Sequence, residues 1–87
     1  MEAEIKELCM WRIIDSLKKG RYVGLDEYGI KPDDTIAIIQ EMQDRKGYIL
    51  GAIFIKNDSD DSVIPYINTA QVTALGQLYY ENYKHKL

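Results

Sequence analysis

Apolar residues recur at helical spacing through residues 2–19 (EAEIKELCMWRIIDSLKK), and the pattern predicts one long helix closed by Gly20. At 100° per residue, Ala3, Ile5, Cys9, Met10, Ile13, Ile14 and Leu17 share one half of the helical wheel. Leu8 and Trp11 fall outside that arc, beside Glu4, Asp15 and Lys18. Residues 21–23 then read as a short extended piece and residues 25–28 as a turn or two of helix ended by Gly29. Pro32 suits the first position of a second helix, and Asp33 and Asp34 suit its first turn, where unpaired N–H groups favour negative charge. That helix is predicted over residues 32–46. Ile36, Ile39 and Met42 form its inward stripe, Ile38 lies beside it, and Gly47 is its stop.

The pattern changes after Gly47. Residues 48–55 (YILGAIFI) are an apolar β-type run, residues 57–62 (NDSDDS) a polar turn, and residues 63–67 (VIPYI) a returning strand. Pro65 cannot donate to a ladder, so its strand lies at an edge or is irregular there. Gly51, inside a strand, marks a bulge or a close backbone approach. Thr73 is placed as the N-cap of a last helix running to Lys84. Gly76, one turn into that helix, costs about 1 kcal/mol against alanine and so implies a close packing contact. Helix, short strand, short helix, long helix, hairpin, helix is the order of an α+β winged helix, a helix-turn-helix followed by a β-hairpin wing.

Three stretches carry a family likeness: Asp26-Glu27-Tyr28-Gly29-Ile30, Gln43 through Gly51 (QDRKGYILG), and Val72 through Asn82 (VTALGQLYYEN). They resemble the YjcQ-like winged-helix proteins, small proteins of bacteria and of phage or prophage genomes. The likeness extends from about Met10 to Lys84. Its most specific parts are the Lys-Gly-Tyr-Ile-x-Gly turn into the wing and the Thr-x-x-Gly opening of the last helix. This chain departs from the pattern in lacking the C-terminal extension of some members and in its more acidic wing. The resemblance implies a fold, a bacterial or prophage setting and a phage-particle association. It implies no catalytic activity and brings no functional residues with it.

Composition narrows the chemistry. Eighty-seven residues allow one domain, spanning 1–87, with a thin core. A formal net charge of −3 and a pI near 5.0 remove the simplest argument for nucleic-acid binding. No apolar run approaches the ~20 residues of a membrane span, and the acidic start is unlike a signal peptide, so a cytoplasmic protein without membrane contact is expected. Cys9 and His85, each the only residue of its type, cannot make an internal disulfide or a structural zinc site. They are also the only nucleophile–base pair of their kind, with Cys9 on the apolar arc and His85 near the end of the sequence. No glycine-rich phosphate loop exists. The acidic turn 57–62 lacks the glycine and glutamate that a calcium loop needs at its sixth and twelfth positions. No catalytic residue, metal or cofactor is expected, and the protein is read as a non-enzymatic binding module.

Two kinds of partner remain. A DNA-reading winged helix uses its second long helix and its wing, which here supply Thr35, Gln40, Arg45, Lys46 and Lys56 as a candidate nucleic-acid surface. Asp26, Glu27, Asp33 and Asp34 near the helix start, and Asp58, Asp60 and Asp61 in the wing, oppose phosphate there. DNA binding would then need a non-standard surface. The other kind is a protein, or a second copy of the chain. Leu8 and Trp11 on the first helix, with Leu75 and Leu78 on the last, lie off the main apolar arcs and form a candidate partner patch. The competing reading is that a thin core wraps both sides of each helix. The tyrosines of the last helix and hairpin are read as packing groups with hydroxyls at the core edge rather than as base-stacking platforms.

Overall fold

The periodic run at the start of the chain is a helix, α1 (Ala3–Lys19), in a computed structural model that describes residues 2–20, 29–60, 62–67 and 69–86. Gly20 ends α1 at φ +66°, with its N–H turned back to the Leu17 carbonyl. The extended piece at 21–23 and the short helix at 25–28, both expected next, lie outside the described residues. The second helix, α2 (Pro32–Glu41), passes into a wider π turn (Met42–Lys46), so the helix predicted over 32–46 is not uniformly α. Its inward stripe is also rotated. Ile38, Ile39 and Met42 are buried while Ile36 is half-buried. Residues i, i+3 and i+6 drift by about 60° per step around an α-helix, so 36, 39 and 42 cannot all point at one core.

Gly47, at φ +67°, turns the chain out of the helix, and the Tyr48 N–H reaches back 2.9 Å to the Met42 carbonyl. The expected hairpin follows, but it is broken into two ladders. Strand β1 (Ile49–Leu50) pairs antiparallel with β4 (Gln71–Val72), and β2 (Ile53–Lys56) pairs antiparallel with β3 (Val63–Tyr66). The short strand β4 was not anticipated. Gly51 and Ala52 lie between the two ladders on one side, with Ile67, Thr69 and Ala70 on the other, and Gly51 makes this possible. Its φ is +88°, and a Cβ there would lie 2.8 Å from the Thr69 carbonyl oxygen. The Thr69 hydroxyl donates to the Gly51 carbonyl at 2.7 Å. Ala52 is tied down from α2's side, its N–H donating to Gln43 Oε1 at 2.7 Å and its carbonyl accepting from Gln43 Nε2 at 3.2 Å.

The break flips the alternation of the strand. Ile49, Ala52 and Phe54 point into the molecule; Leu50, Ile53 and Ile55 point out. Pro65 stands opposite Phe54 in a two-stranded ladder, where both strands are edges. The last helix, α3 (Ala74–Lys84), starts as anticipated, with Thr73 Oγ1 accepting the Gly76 N–H at 3.0 Å. Gly76 packs directly on the β1 entry: a Cβ would overlap the Tyr48 carbonyl, whose carbon would be 2.9 Å away, and touch Val72 Cγ1 at 3.0 Å.

Helix α3 packs on α1, where the Tyr79 hydroxyl meets the Glu7 carbonyl and Lys18 meets Gln77. The core gathers Cys9, Met10, Ile13 and Ile14 of α1 with Ile38, Ile39, Met42, Ile49, Ala52 and Tyr80. The described residues therefore form a small α+β unit of three helices and two small antiparallel sheets. No helix among the described residues is long and apolar enough to cross a membrane.

Candidate partner surface

The structure divides the four-residue patch expected on α1 and α3. Leu75 and Leu78 are each 58% exposed. Trp11 is half-buried against the core and stacks on Tyr80, ring centroids 5.2 Å apart and planes within 1°. Leu8 is half-buried as well. Leu8, Trp11 and Asp15 lie at helical spacing on one side of α1, and Trp11 and Asp15 meet Tyr80 of α3 there. For α1, the thin core does wrap both sides of the helix.

Asp15 explains why. Its carboxylate, 1% exposed, accepts from the Tyr80 hydroxyl at 2.6 Å and from Lys19 Nζ at 3.1 Å, with Arg12 Nη1 at 3.5 Å. Burial pushes the Asp15 pKa up, but the Tyr80 hydrogen bond and the charges of Lys19 and Arg12 outweigh it and hold the group below the ordinary carboxylate value. Tyr80 responds in the opposite sense: its bond to Asp15, with burial, pushes its pKa up to about 12. An aspartate in the middle of a helix, on the arc shared with Leu8 and Trp11, was the sequence signal for this buried contact.

Beside this contact, Tyr48, Tyr79 and Tyr83 form a row. Tyr48 stacks on Tyr79 at 4.6 Å and Tyr79 on Tyr83 at 5.8 Å. The Tyr79 hydroxyl donates to the Glu7 carbonyl at 2.7 Å, and Lys86 Nζ lies 5.7 Å from the Tyr83 ring centre. Burial, followed by the nearby Glu7 charge, raises the pKa of Tyr48, Tyr79 and Tyr83, so all three stay neutral hydroxyls at ordinary pH. Helical spacing sets Leu75, Leu78 and Asn82 along the row, and together with Glu7 and Lys86 they enclose a shallow, open depression of about 250 Å³. That is smaller than most small-molecule sites and suits one or two side chains of a partner. With faces occupied by one another and one hydroxyl bonded to α1, the tyrosines act as packing groups.

The candidate nucleic-acid residues are spread out. Thr35 is half-buried and donates its hydroxyl to the Lys31 carbonyl at 3.2 Å, while Gln40, Arg45, Lys46 and Lys56 are exposed. Thr35 and Lys46 stand about 15 Å apart along the helix axis, and Lys56 ends β2. Exposed Asp33, Asp34, Asp44, Asp58 and Asp60 lie among them. Glu41 is engaged by Lys6 at 2.6 Å and is held below its usual pKa, first by that bond. Cys9 is fully buried, which raises its thiol pKa, and His85 is exposed at the end of α3. The acidic tip is built of turns. Asn57 Oδ1 accepts from the Ser59 N–H, and Asp60 Oδ1 accepts from the Ser62 N–H and hydroxyl. Among the described residues no three His, Cys, Asp or Glu side chains converge to hold a metal ion.

Sequence reasoning missed a second exposed apolar surface, on the hairpin. Ile53 and Tyr66 are cross-strand partners, as are Ile55 and Ile64, and all four are 47–52% exposed. The signal was the alternation around Gly51, readable only once the strand register is known. No family model, curated protein or solved structure matches the chain.

Proposed function

We propose that this chain is a non-enzymatic binding module on the winged-helix plan that works through protein–protein contacts in a bacterial or prophage setting. The observation that carries this reading is the pair Leu75 and Leu78, held exposed beside a row of stacked tyrosines on a rigid helix. A solvated monomer gains nothing from two large aliphatic side chains there, and a partner side chain seated between them would bury both. The element order and the resemblance to YjcQ-like proteins support the winged-helix assignment. The alternative, a DNA-binding transcriptional regulator using a non-standard surface, has in its favour the exposed Gln40, Arg45 and Lys46 at the end of the second helix. The carboxylates around them oppose it, because each would repel the phosphates that the cations attract.

Fluorescence anisotropy with a random-sequence duplex at physiological salt separates the two. No binding tighter than about 100 μM is expected, the weak end of non-specific affinity. Affinity capture from bacterial lysate, with and without the Leu75→Glu/Leu78→Glu double substitution, tests the protein reading. A partner retained by the native chain and lost by the variant supports it. Submicromolar duplex binding with a steep salt dependence, abolished by Gln40→Ala, would establish the alternative.

A further inference from the structure

Strands β1 and β2 follow one another in the chain but belong to different ladders. The β1–β4 ladder ends at Leu50 and Gln71, and the β2–β3 ladder begins at Ile53 and Tyr66. Residues 51–52 separate them on the outgoing side and residues 67–70 on the returning side, where the Ala70 N–H donates to the Ile67 carbonyl at 2.9 Å in a turn that takes up the extra length. Gly51 adopts φ +88° in this break, a conformation open to glycine without strain. Ala52 is buried beside it, and both of its backbone groups are held by one side chain. Gln43 Oε1 accepts the Ala52 N–H at 2.7 Å, and Gln43 Nε2 donates to the Ala52 carbonyl at 3.2 Å. Those are the two bonds that a neighbouring strand would make, supplied here by a half-buried residue of the π turn. Beyond the break, the arm rests its inner face on the body, with Phe54 packed against the core and β3 beside α2.

We propose that the β2–β3 arm is a rigid unit that pivots at residues 51–52 and 67–70, and that the Gln43 amide is the latch that fixes its angle to the helices. A buried N–H and C=O do not go without partners. The latch is therefore closed, with Ala52 dry, or open, with the arm swung far enough for water to take both bonds. That makes two discrete states rather than a continuous wobble. Opening turns the Gln43 side chain and changes the backbone angles at Gly51, and it breaks no bond of either ladder. The Thr69 hydroxyl, 2.7 Å from the Gly51 carbonyl, joins the two sides of the break to each other and leaves the arm free of the body. Packing of Phe54 is non-directional and allows a range of angles, whereas the paired Gln43 bonds allow one. A partner that touched both the arm and the helices would select one of the two states. The inference stands without the function proposed above.

Nuclear magnetic resonance of the full chain and of Gln43→Met tests it. Methionine keeps the length and bulk of the side chain and removes both hydrogen bonds, so lost packing is not confused with a lost latch. In the native chain, residual dipolar couplings of the arm and of the helices should fit one alignment frame. In Gln43→Met the cross-strand contacts Ile53–Tyr66 and Ile55–Ile64 should persist, while the arm's couplings shrink roughly twofold or more and need a frame of their own. The Ala52 amide should exchange with solvent about tenfold faster or more in the variant, with Ile13 and Ile14 unchanged. The native chain gives an independent reading, whether or not the variant folds. Relaxation dispersion should show one common microsecond-to-millisecond process at the Gln43 side-chain amide and the Ala52 and Ala70 backbone amides. Three results would overturn the proposal. One is a single, unreduced frame in Gln43→Met, which would mean that packing alone holds the arm. Another is loss of the β2–β3 contacts together with the latch, which would mean that the arm is not a separate unit. The third is a native chain in which those three amides share no exchange process.

Discussion

The seam between α1 and α3 and the outer face of the β2–β3 arm are both rich in large side chains, yet their environments are opposite. At the seam, Trp11 lies flat on Tyr80, the Tyr80 hydroxyl meets Asp15, and Tyr79 reaches the Glu7 carbonyl. On the arm, Ile53, Ile55, Ile64 and Tyr66 are each about half exposed. A chain this small cannot cover everything, and the difference shows where the core is concentrated. Helix α1 is enclosed through its middle by α2, β4 and α3, while the two-stranded arm is packed on one face only. Stability should therefore be concentrated at the seam rather than on the arm.

The sharpest way to break that comparison is at Trp11. Trp11→Ala removes the stack on Tyr80 and leaves a gap beside the core, and a loss of about 3 kcal/mol in urea unfolding is expected. Trp11→Glu should cost more, because the new carboxylate would stand beside Asp15. A folded Trp11→Glu variant with native stability would mean that the seam is not the stable half of the molecule.

A smaller effect is expected at Asp15. Asp15→Asn keeps the shape but removes the charge that Tyr80 and Lys19 bond, and a loss of about 2 kcal/mol at neutral pH is expected. The sign of the pH dependence follows from the lowered pKa. The native state holds the ionised form more tightly than the unfolded chain does, so this stabilisation is complete above the unfolded value near 4. It is lost as pH falls through the folded value. Unfolding curves between pH 2 and pH 6 should converge for the native chain and Asp15→Asn at the acid end. A gap that persists at pH 2 would show that Asp15 acts through shape rather than charge.

These two residues also mark how far the sequence could be read. The ends of α1 and α3, the Gly47 turn and the Thr73 cap were legible because glycine in the left-handed region and a threonine N-cap act locally. The tightness around Gly51 and Gly76 was legible for the same reason: a missing side chain in a strand or helix implies a near neighbour. The side of α1 that holds Leu8, Trp11 and Asp15 was not legible from one wheel. A hydrophobic arc reports the larger buried face, and a second face lined by an aspartate, a tryptophan and a leucine reads as mixed. Leu75 and Leu78 were placed correctly off the arc of Gly76 and Tyr83 because α3 is covered on one side. The open face of the arm was hidden by an assumption of even alternation through residues 48–55. The inward set passes from odd to even positions at Gly51, so a period-2 reading without the break mixes the two faces.

The smallest effect should come from the arm itself. Ile53→Thr/Ile64→Thr keeps β-branched residues on both strands and removes apolar surface that the monomer leaves in water. The change in unfolding free energy should stay within about 0.5 kcal/mol. The amides of residues 53–56 should exchange much faster than those of Ile13 and Ile14 in either protein, since one short ladder with a solvated face opens locally without the core. A cost of about 2 kcal/mol would place these isoleucines in a covered position within the single chain, and the contrast between seam and arm would fail.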